Sequence, residues 1–186
     1  FEQAPGLYVP SDLNFIGIPD NQYSISIRIG EFIYRASTSM PRPPQIDSLS
    51  FSFEPKILDQ NAGYYVSYHY QDPIAKNYHL LNFWQNGKIV IGNKFEIRND
   101  ENVNGKYLKF VVPQPFNAFD TVNVQLLSIP EHAYKYFEGL NLLVESGSPS
   151  QAVPENPRGN ITSDDAPVLG IFYATATTKD SIVIRP

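Results

Sequence analysis

Three groups of residues in this chain have types and spacing that bear on chemistry. Asp100-Glu101-Asn102-Val103-Asn104-Gly105 sets oxygen ligands at alternate positions ahead of a glycine, as the first half of a calcium loop does. The bidentate Glu such a loop needs at its twelfth position is replaced by Val111, so Asp100, Asn102 and Asn104 read as a polar hairpin turn. His69, His79 and His132 are the histidines. Two of them fall on neighbouring predicted strands, but no third ligand accompanies them and no metal site is expected. The third group is aromatic: Tyr64, Tyr65, Tyr68, Tyr70, Tyr78, Phe83 and Trp84. Alternation puts Tyr64, Val66, Tyr68 and Tyr70 on a core face and turns Tyr65 away. Tyr65 with one of Phe83 or Trp84 then makes a candidate platform for stacking a glycan ring or a peptide, set against the commoner use of strand aromatics as core.

Other chemistries lack their residues. The sequence has no Cys, which removes thiolate nucleophiles, zinc–thiolate sites and disulfides. It has no nucleophile elbow, phosphate loop or dinucleotide fingerprint. Its carboxylates give no argued glycosidase pair. No catalytic residue and no cofactor are expected, and a hydrolase ranks last among the functions considered.

The elements that must position these residues are mostly strands. Aromatics reach 13% of the 186 residues, and Tyr and Phe favour pleated, half-buried surfaces. A charged fraction of 18% is too low for a disordered tail or a charge-laced coiled coil. The net charge of -5, with no Lys/Arg cluster, argues against nucleic acid. No apolar run approaches the ~18 residues of a membrane-spanning helix. Tyr23 to Ile29 alternates strictly, Gly30-Glu31 turns the chain, and Phe32 to Ala36 returns. Pro41-Arg42-Pro43-Pro44 is an extended connection. Further strands are expected at Ser48 to Glu54 (Leu49, Phe51 and Phe53 inward), Tyr64 to Tyr70 and Tyr78 to Trp84. Asn86-Gly87 then opens a hairpin to Lys88-Ile89-Val90-Ile91. Lys106 to Val112, Val122 to Leu127, Leu169 to Ala176 and Ser181 to Arg185 complete the set. One helix breaks the pattern, over 130–146, with Ala133, Phe137, Leu140 and Val144 on its inward face. Ser128-Ile129-Pro130-Glu131 reads as its capping box, and Gly147 and Pro149 as its stop. The expectation is one mainly β domain over 1–186, an antiparallel β-sandwich of jelly-roll or immunoglobulin-like type, with the helix packed on the sheet and 1–21 a lead-in. The opening Phe1-Glu2-Gln3 reads as the product of processing or truncation.

Several strings, in order, carry a resemblance. They are Gln22-Tyr23-Ser24-Ile25-Ser26-Ile27, Tyr34-Arg35-Ala36-Ser37, Met40-Pro41 and Pro43-Pro44-Gln45-Ile46-Asp47-Ser48-Leu49. Asp72-Pro73, Asn77-Tyr78, Asp120-Thr121-Val122-Asn123-Val124-Gln125-Leu126 and Tyr134-Lys135-Tyr136 follow. Gly159-Asn160-Ile161 and Val168-Leu169-Gly170-Ile171-Phe172-Tyr173-Ala174 close the series. From about Tyr8 onward the chain resembles an uncharacterised family of Bacteroidota outer-membrane lipoproteins, a domain of unknown function encoded beside TonB-dependent receptors. The resemblance implies a cell-surface, outer-membrane location and a TonB-dependent outer-membrane transporter as partner. It also implies a signal peptide, a lipidated Cys and an immunoglobulin-like stretch ahead of this region, so membrane contact would run through a lipid anchor outside these residues. The leading expectation is an accessory that captures substrate, a glycan or a peptide, for that transporter. A structural or adhesive surface β-module is the alternative.

Asp47-Ser48-Leu49, Asp120-Thr121-Val122 and Asp180-Ser181-Ile182 resemble the O-glycosylation sequon of exported Bacteroidota proteins. Ser48, Thr121 and Ser181 are therefore candidate modification sites. Each precedes an inward-facing apolar series, so alternation turns the hydroxyl residue outward. Ordinary Asp-Ser and Asp-Thr turns share the same pattern.

Overall fold

The computed structural model describes residues 2–12, 14–57, 61–101, 103–145, 156–163 and 168–186. Its elements are β1 (Glu2–Ala4), β2 (Leu7–Tyr8), β3 (Gln22–Ile29), β4 (Phe32–Ser39), β5 (Ser48–Glu54), β6 (Gly63–Gln71), β7 (Tyr78–Gln85), β8 (Lys88–Val90), β9 (Glu96–Asn99), β10 (Tyr107–Val111), β11 (Thr121–Ile129), α1 (Glu131–Glu145), β12 (Thr162–Ser163) and β13 (Ala176–Val183).

Two antiparallel sheets form the sandwich. The first runs β10-β6-β5; the second runs β13-β11-β7-β8, with β9 also on β7. The chain crosses between sheets after β6, after β9 and again after β10. This places β6 beside β10 in one sheet and β7 beside β11 in the other, the immunoglobulin-like arrangement. Val66, Tyr68 and Tyr70 of β6 and Leu108 of β10 meet Leu81 and Phe83 of β7 and Val122, Val124 and Leu126 of β11 in the core between them. Asn86 and Gly87 both take positive φ, 51° and 79°, which gives the β7–β8 hairpin the turn its Asn-Gly pair requires. At the far end of β5 the alternation stops short of the core, because Phe53 is 58% exposed, its ring set edge-on to Tyr64.

Between β11 and β13 the chain makes an excursion that includes α1 and β12. The helix covers the outer face of the second sheet, where Ala133 and Phe137 pack on Tyr78, Leu80, Leu127 and Ile129. Leu140 is half-buried at the edge of that cluster. Val144, expected inward, is 54% exposed, because the last turn runs past the apolar cluster. The helix start also differs from the capping-box reading. Ser128 stays in the β11 ladder opposite His79, and the Pro130 carbonyl accepts the first helical bonds, from Ala133 and Tyr134. Ser146, Gly147 and Pro149 lie outside the described residues.

The Leu169-to-Ala176 segment does not pair as a strand; the ladder begins at Ala176 and runs to Val183. Phe172 is held by the Asn160 side chain instead: its N–H donates to Oδ1 at 2.9 Å and its carbonyl accepts from Nδ2 at 2.8 Å. Asn160 Nδ2 also donates to the Ser37 carbonyl at 2.9 Å, tying the third sheet, β12-β4-β3, to the excursion. In that sheet the face Tyr23, Ile25, Ile27, Ile29 is buried only toward its base. Beyond the Ile25–Ala36 pair, Ile27, Ile29 and Phe32 are exposed at the hairpin tip.

Candidate functional site

The outer face of the second sheet divides in two along its strands. The β11 residues on that face read Thr121, Asn123, Gln125, Leu127 and Ile129, polar first and apolar after. Register aligns Leu80, Leu127 and Thr177 in one row, under the helix. Asn82, Gln125 and Lys179 form the next, and Trp84, Asn123 and Ser181 the one after, both beyond the helix-covered cluster. Asn82 Nδ2 donates to Gln125 Oε1 at 3.3 Å. The Lys179 ammonium lies 5.9 Å from the centre of the Trp84 ring, within cation–π range. Trp84, Gly87, Asn123, Lys179, Asp180 and Ser181 line a shallow depression. A half-buried indole, amide side chains and an ammonium on one rigid sheet can stack a ring and hydrogen-bond its polar substituents.

Of the three aromatic candidates, Trp84 alone sits there. Tyr65 is buried, 8% exposed, and its hydroxyl donates to the Asn61 carbonyl at 2.9 Å, so it offers no platform. Phe83 is core, 5% exposed, for a reason of parity: with Trp84 on the outer face, its neighbour must point between the sheets. Ser181 is exposed in the Trp84 row on the far side of Asn123, Ser48 is exposed on β5, and Thr121 is half-buried where β11 begins. The carboxylate of Asp120 has a structural task, accepting Asn117 N–H at 2.8 Å and Asn86 Nδ2 at 2.7 Å, with Gln85 as a third donor. Burial would raise its pKa, but these hydrogen bonds outweigh it and hold the carboxyl below the usual range.

The calcium-loop residues separate. Asn104 is exposed, Asn102 lies outside the described residues, and Asp100 turns inward, 2% exposed, accepting Asn77 N–H at 2.9 Å. His79 is buried among core side chains, edge-on to Tyr70 at 5.8 Å, and burial pushes its pKa down to about 4, so the ring is neutral. Among the described residues no three His, Cys, Asp or Glu side chains converge on a metal position.

Sequence reasoning passed over two arrangements. Ser50 Oγ and His69 Nε2 lie 2.8 Å apart on the outer face of the first sheet. That is nucleophile–base distance, but the pair lies diagonally across the β5–β6 ladder with His69 stacked on Tyr107, the geometry of a cross-strand polar pair. The polar row Asn82–Gln125–Lys179 had a readable signal: polar residues at alternate positions of strands otherwise rich in apolar ones. Its alignment with Trp84 depended on register.

Among the described residues no helix is long and apolar enough to cross a membrane. No curated protein and no solved structure matches the chain. The model of one family, a domain of unknown function (DUF4249), matches residues 1–181, nearly the whole sequence, and the chain belongs to that family.

Proposed function

We propose that this protein is a binding module rather than an enzyme. In this reading it is a surface-exposed outer-membrane lipoprotein that captures a glycan or peptide on the Trp84 face as accessory to a TonB-dependent transporter. The observation that carries the binding step is the open row Trp84–Asn123–Ser181 beside Asn82–Gln125–Lys179, on a face whose other half is covered by a helix. The outer-membrane setting and the transporter rest on the ordered motifs that resemble lipoproteins of this kind. Such a contact would bury on the order of 1,600 Å². Trp84 is the only Trp, so its emission reports the platform without interference. Neutral and acidic oligosaccharides and extended peptides titrated against the chain should include one class that shifts this emission. Trp84→Ala should weaken that class about tenfold by calorimetry, the worth of a lost stacking contact of ~1.5 kcal/mol. A panel that neither shifts the emission nor binds refutes the platform. Full-length protein that always leaves native outer membranes alone refutes the transporter.

The hairpin tip favours a second reading, a structural or adhesive surface module. Ile27, Ile29 and Phe32 form an exposed apolar end on a two-stranded projection. If Ile27→Ser with Ile29→Ser abolishes surface association while Trp84→Ala leaves it intact, that reading replaces the first.

A further inference from the structure

Asp72 and Asp100 are 28 positions apart in sequence, at the ends of two connections that cross between the sheets, and both are 2% exposed. Asp72 directly follows β6 and opens the link to β7; Asp100 directly follows β9 and opens the link to β10. Hydrogen bonds clip the links together. Gly105 N–H reaches Asp72 Oδ2 at 3.2 Å and the Pro73 carbonyl at 3.3 Å, Asn77 N–H reaches Asp100 Oδ2 at 2.9 Å, and Asp72 N–H reaches the Lys106 carbonyl at 2.9 Å. Each carboxylate thus spends one oxygen on a backbone donor. The other oxygen, Oδ1 in both, is buried with no hydrogen-bond partner, and so is Oδ1 of Asn77, whose amide N–H side acts on the Asp72 carboxylate as a donor. The groups acting on Asp72 are burial, Gly105, Asp100 and Asn77, with no cationic side chain among them.

Two buried carboxylates that feel each other require a neutralising charge. A proton on Asp72, whose carboxyl burial and the Asp100 charge push above its usual range, would meet the same need, and the Ca²⁺ titration below separates the two. The positive charge of Lys76 is turned to Glu101 at the surface. Three hard oxygens with no donor, two of them anionic, are the ligand chemistry of a calcium ion, which also accepts backbone carbonyls in irregular geometry. We propose that Asp72, Asn77 and Asp100 bind one calcium ion that clamps the two sheets together where the β6–β7 and β9–β10 links meet. This goes beyond the binding function above and does not depend on the Trp84 platform. Since no third carboxylate or histidine converges there among the described residues, the amide oxygen of Asn77 is the ligand that completes the set of side chains.

The full chain, stripped with a chelator and dialysed, should bind one Ca²⁺ by calorimetry. Its Tm should rise about 5–10 °C at a hundredfold excess over the dissociation constant. Mg²⁺, which holds its waters and demands octahedral geometry, should do far less at equal concentration. Tb³⁺ should occupy the same position and luminesce on excitation of the nearby Tyr70. Asp100→Asn and Asp72→Asn should each abolish the Tm rise, and Asn77→Ala, which leaves both carboxylates, should weaken Ca²⁺ at least severalfold. If either Asp variant does not fold, the wild-type titration and Asn77→Ala decide. No heat and no Tm shift with Ca²⁺ on the stripped wild-type chain overturns the proposal, as does Ca²⁺ binding that Asn77→Ala and Asp100→Asn leave unchanged.

Discussion

Gly139 sits in the middle of α1, where helix propensity alone favours Ala by about 1 kcal/mol. The structure reverses that sign. A Cβ on Gly139 would lie 2.7 Å from Pro157 Cβ and 3.4 Å from its Cγ. Carbon atoms rest at about 3.5–4.0 Å, so the 156–158 segment would have to retreat by roughly 1 Å. Pro157 is a rigid ring, and three residues later Asn160 fastens the same segment to Ser37 and Phe172, so retreat strains those bonds. Overpacking of this kind costs about 1–3 kcal/mol, which leaves Gly139→Ala destabilising by about 1 kcal/mol net, or a Tm lower by about 2–4 °C. Pro157→Gly removes the opposing Cβ. In that background Gly139→Ala should stabilise by about 1 kcal/mol, whereas Pro157→Ala keeps the Cβ and should keep the penalty. The coupling between positions 139 and 157 should therefore be about 1–3 kcal/mol by urea denaturation of the four chains of the cycle. A Gly139→Ala chain that gains the full propensity term in the wild-type background, or the same change in both backgrounds, refutes the reasoning.

Asn160→Ala should destabilise by about 2–3 kcal/mol, since three side-chain hydrogen bonds at ~1 kcal/mol each are lost together; the urea midpoint reads it, and a change under ~0.5 kcal/mol contradicts the clip. Asp120 has a lowered pKa, so its stabilising contribution is complete above the unfolded carboxyl value near ~3.9 and is lost as pH falls through the folded value. Asp120→Asn should therefore lower stability at neutral pH and flatten its decline below about pH 4, and parallel acid limbs in the two proteins would count against it.

What was legible in the sequence was what repeats every two residues. Tyr23 to Ile29, Tyr64 to Tyr70 and Val122 to Leu127 became strands because one side of each is apolar, and Asn86-Gly87 fixed its hairpin through positive φ. Parity resolved less at adjacent aromatics. Phe83 and Trp84 are equally good strand residues, and only pairing with Val124 and Asn123 decides which faces inward. Long-range polar partners left no local trace. Asn160 reads as a loop residue, yet it bonds Ser37, 123 positions away, and its hold on Phe172 is why the segment before Ala176 forms no ladder. Asp100 stands out in the sequence for its neighbours Asn102 and Asn104, whereas the fold brings its charge to bear on Asp72, which no linear motif shows.

The strand β7 shows why the candidate platform lies where it does. Its inner positions, Leu81 and Phe83, are spent on the core between the sheets. Its outer positions change character midway, from Tyr78 and Leu80 to Asn82 and Trp84, and β11 changes at the same level, between Leu127 and Gln125. A sheet face with no cover tends to be polar throughout, and a fully covered one apolar throughout. Here the apolar half matches the footprint of Ala133 and Phe137 together with Ile171 and Tyr173, which pack against the same cluster. The polar half is solvent-facing surface except for Trp84 and the exposed Ile89 paired with it across β7 and β8; the large ring of Trp84 contributes nothing to either apolar cluster of buried residues. A lysine lying over that ring shields it in the free protein, but a structural surface position would be filled as well by Thr or Lys, at no loss of core packing. The Trp84–Ile89 pair gives the open half of the face an apolar patch beside its amides and ammonium, and that patch is what the proposed ligand contact uses.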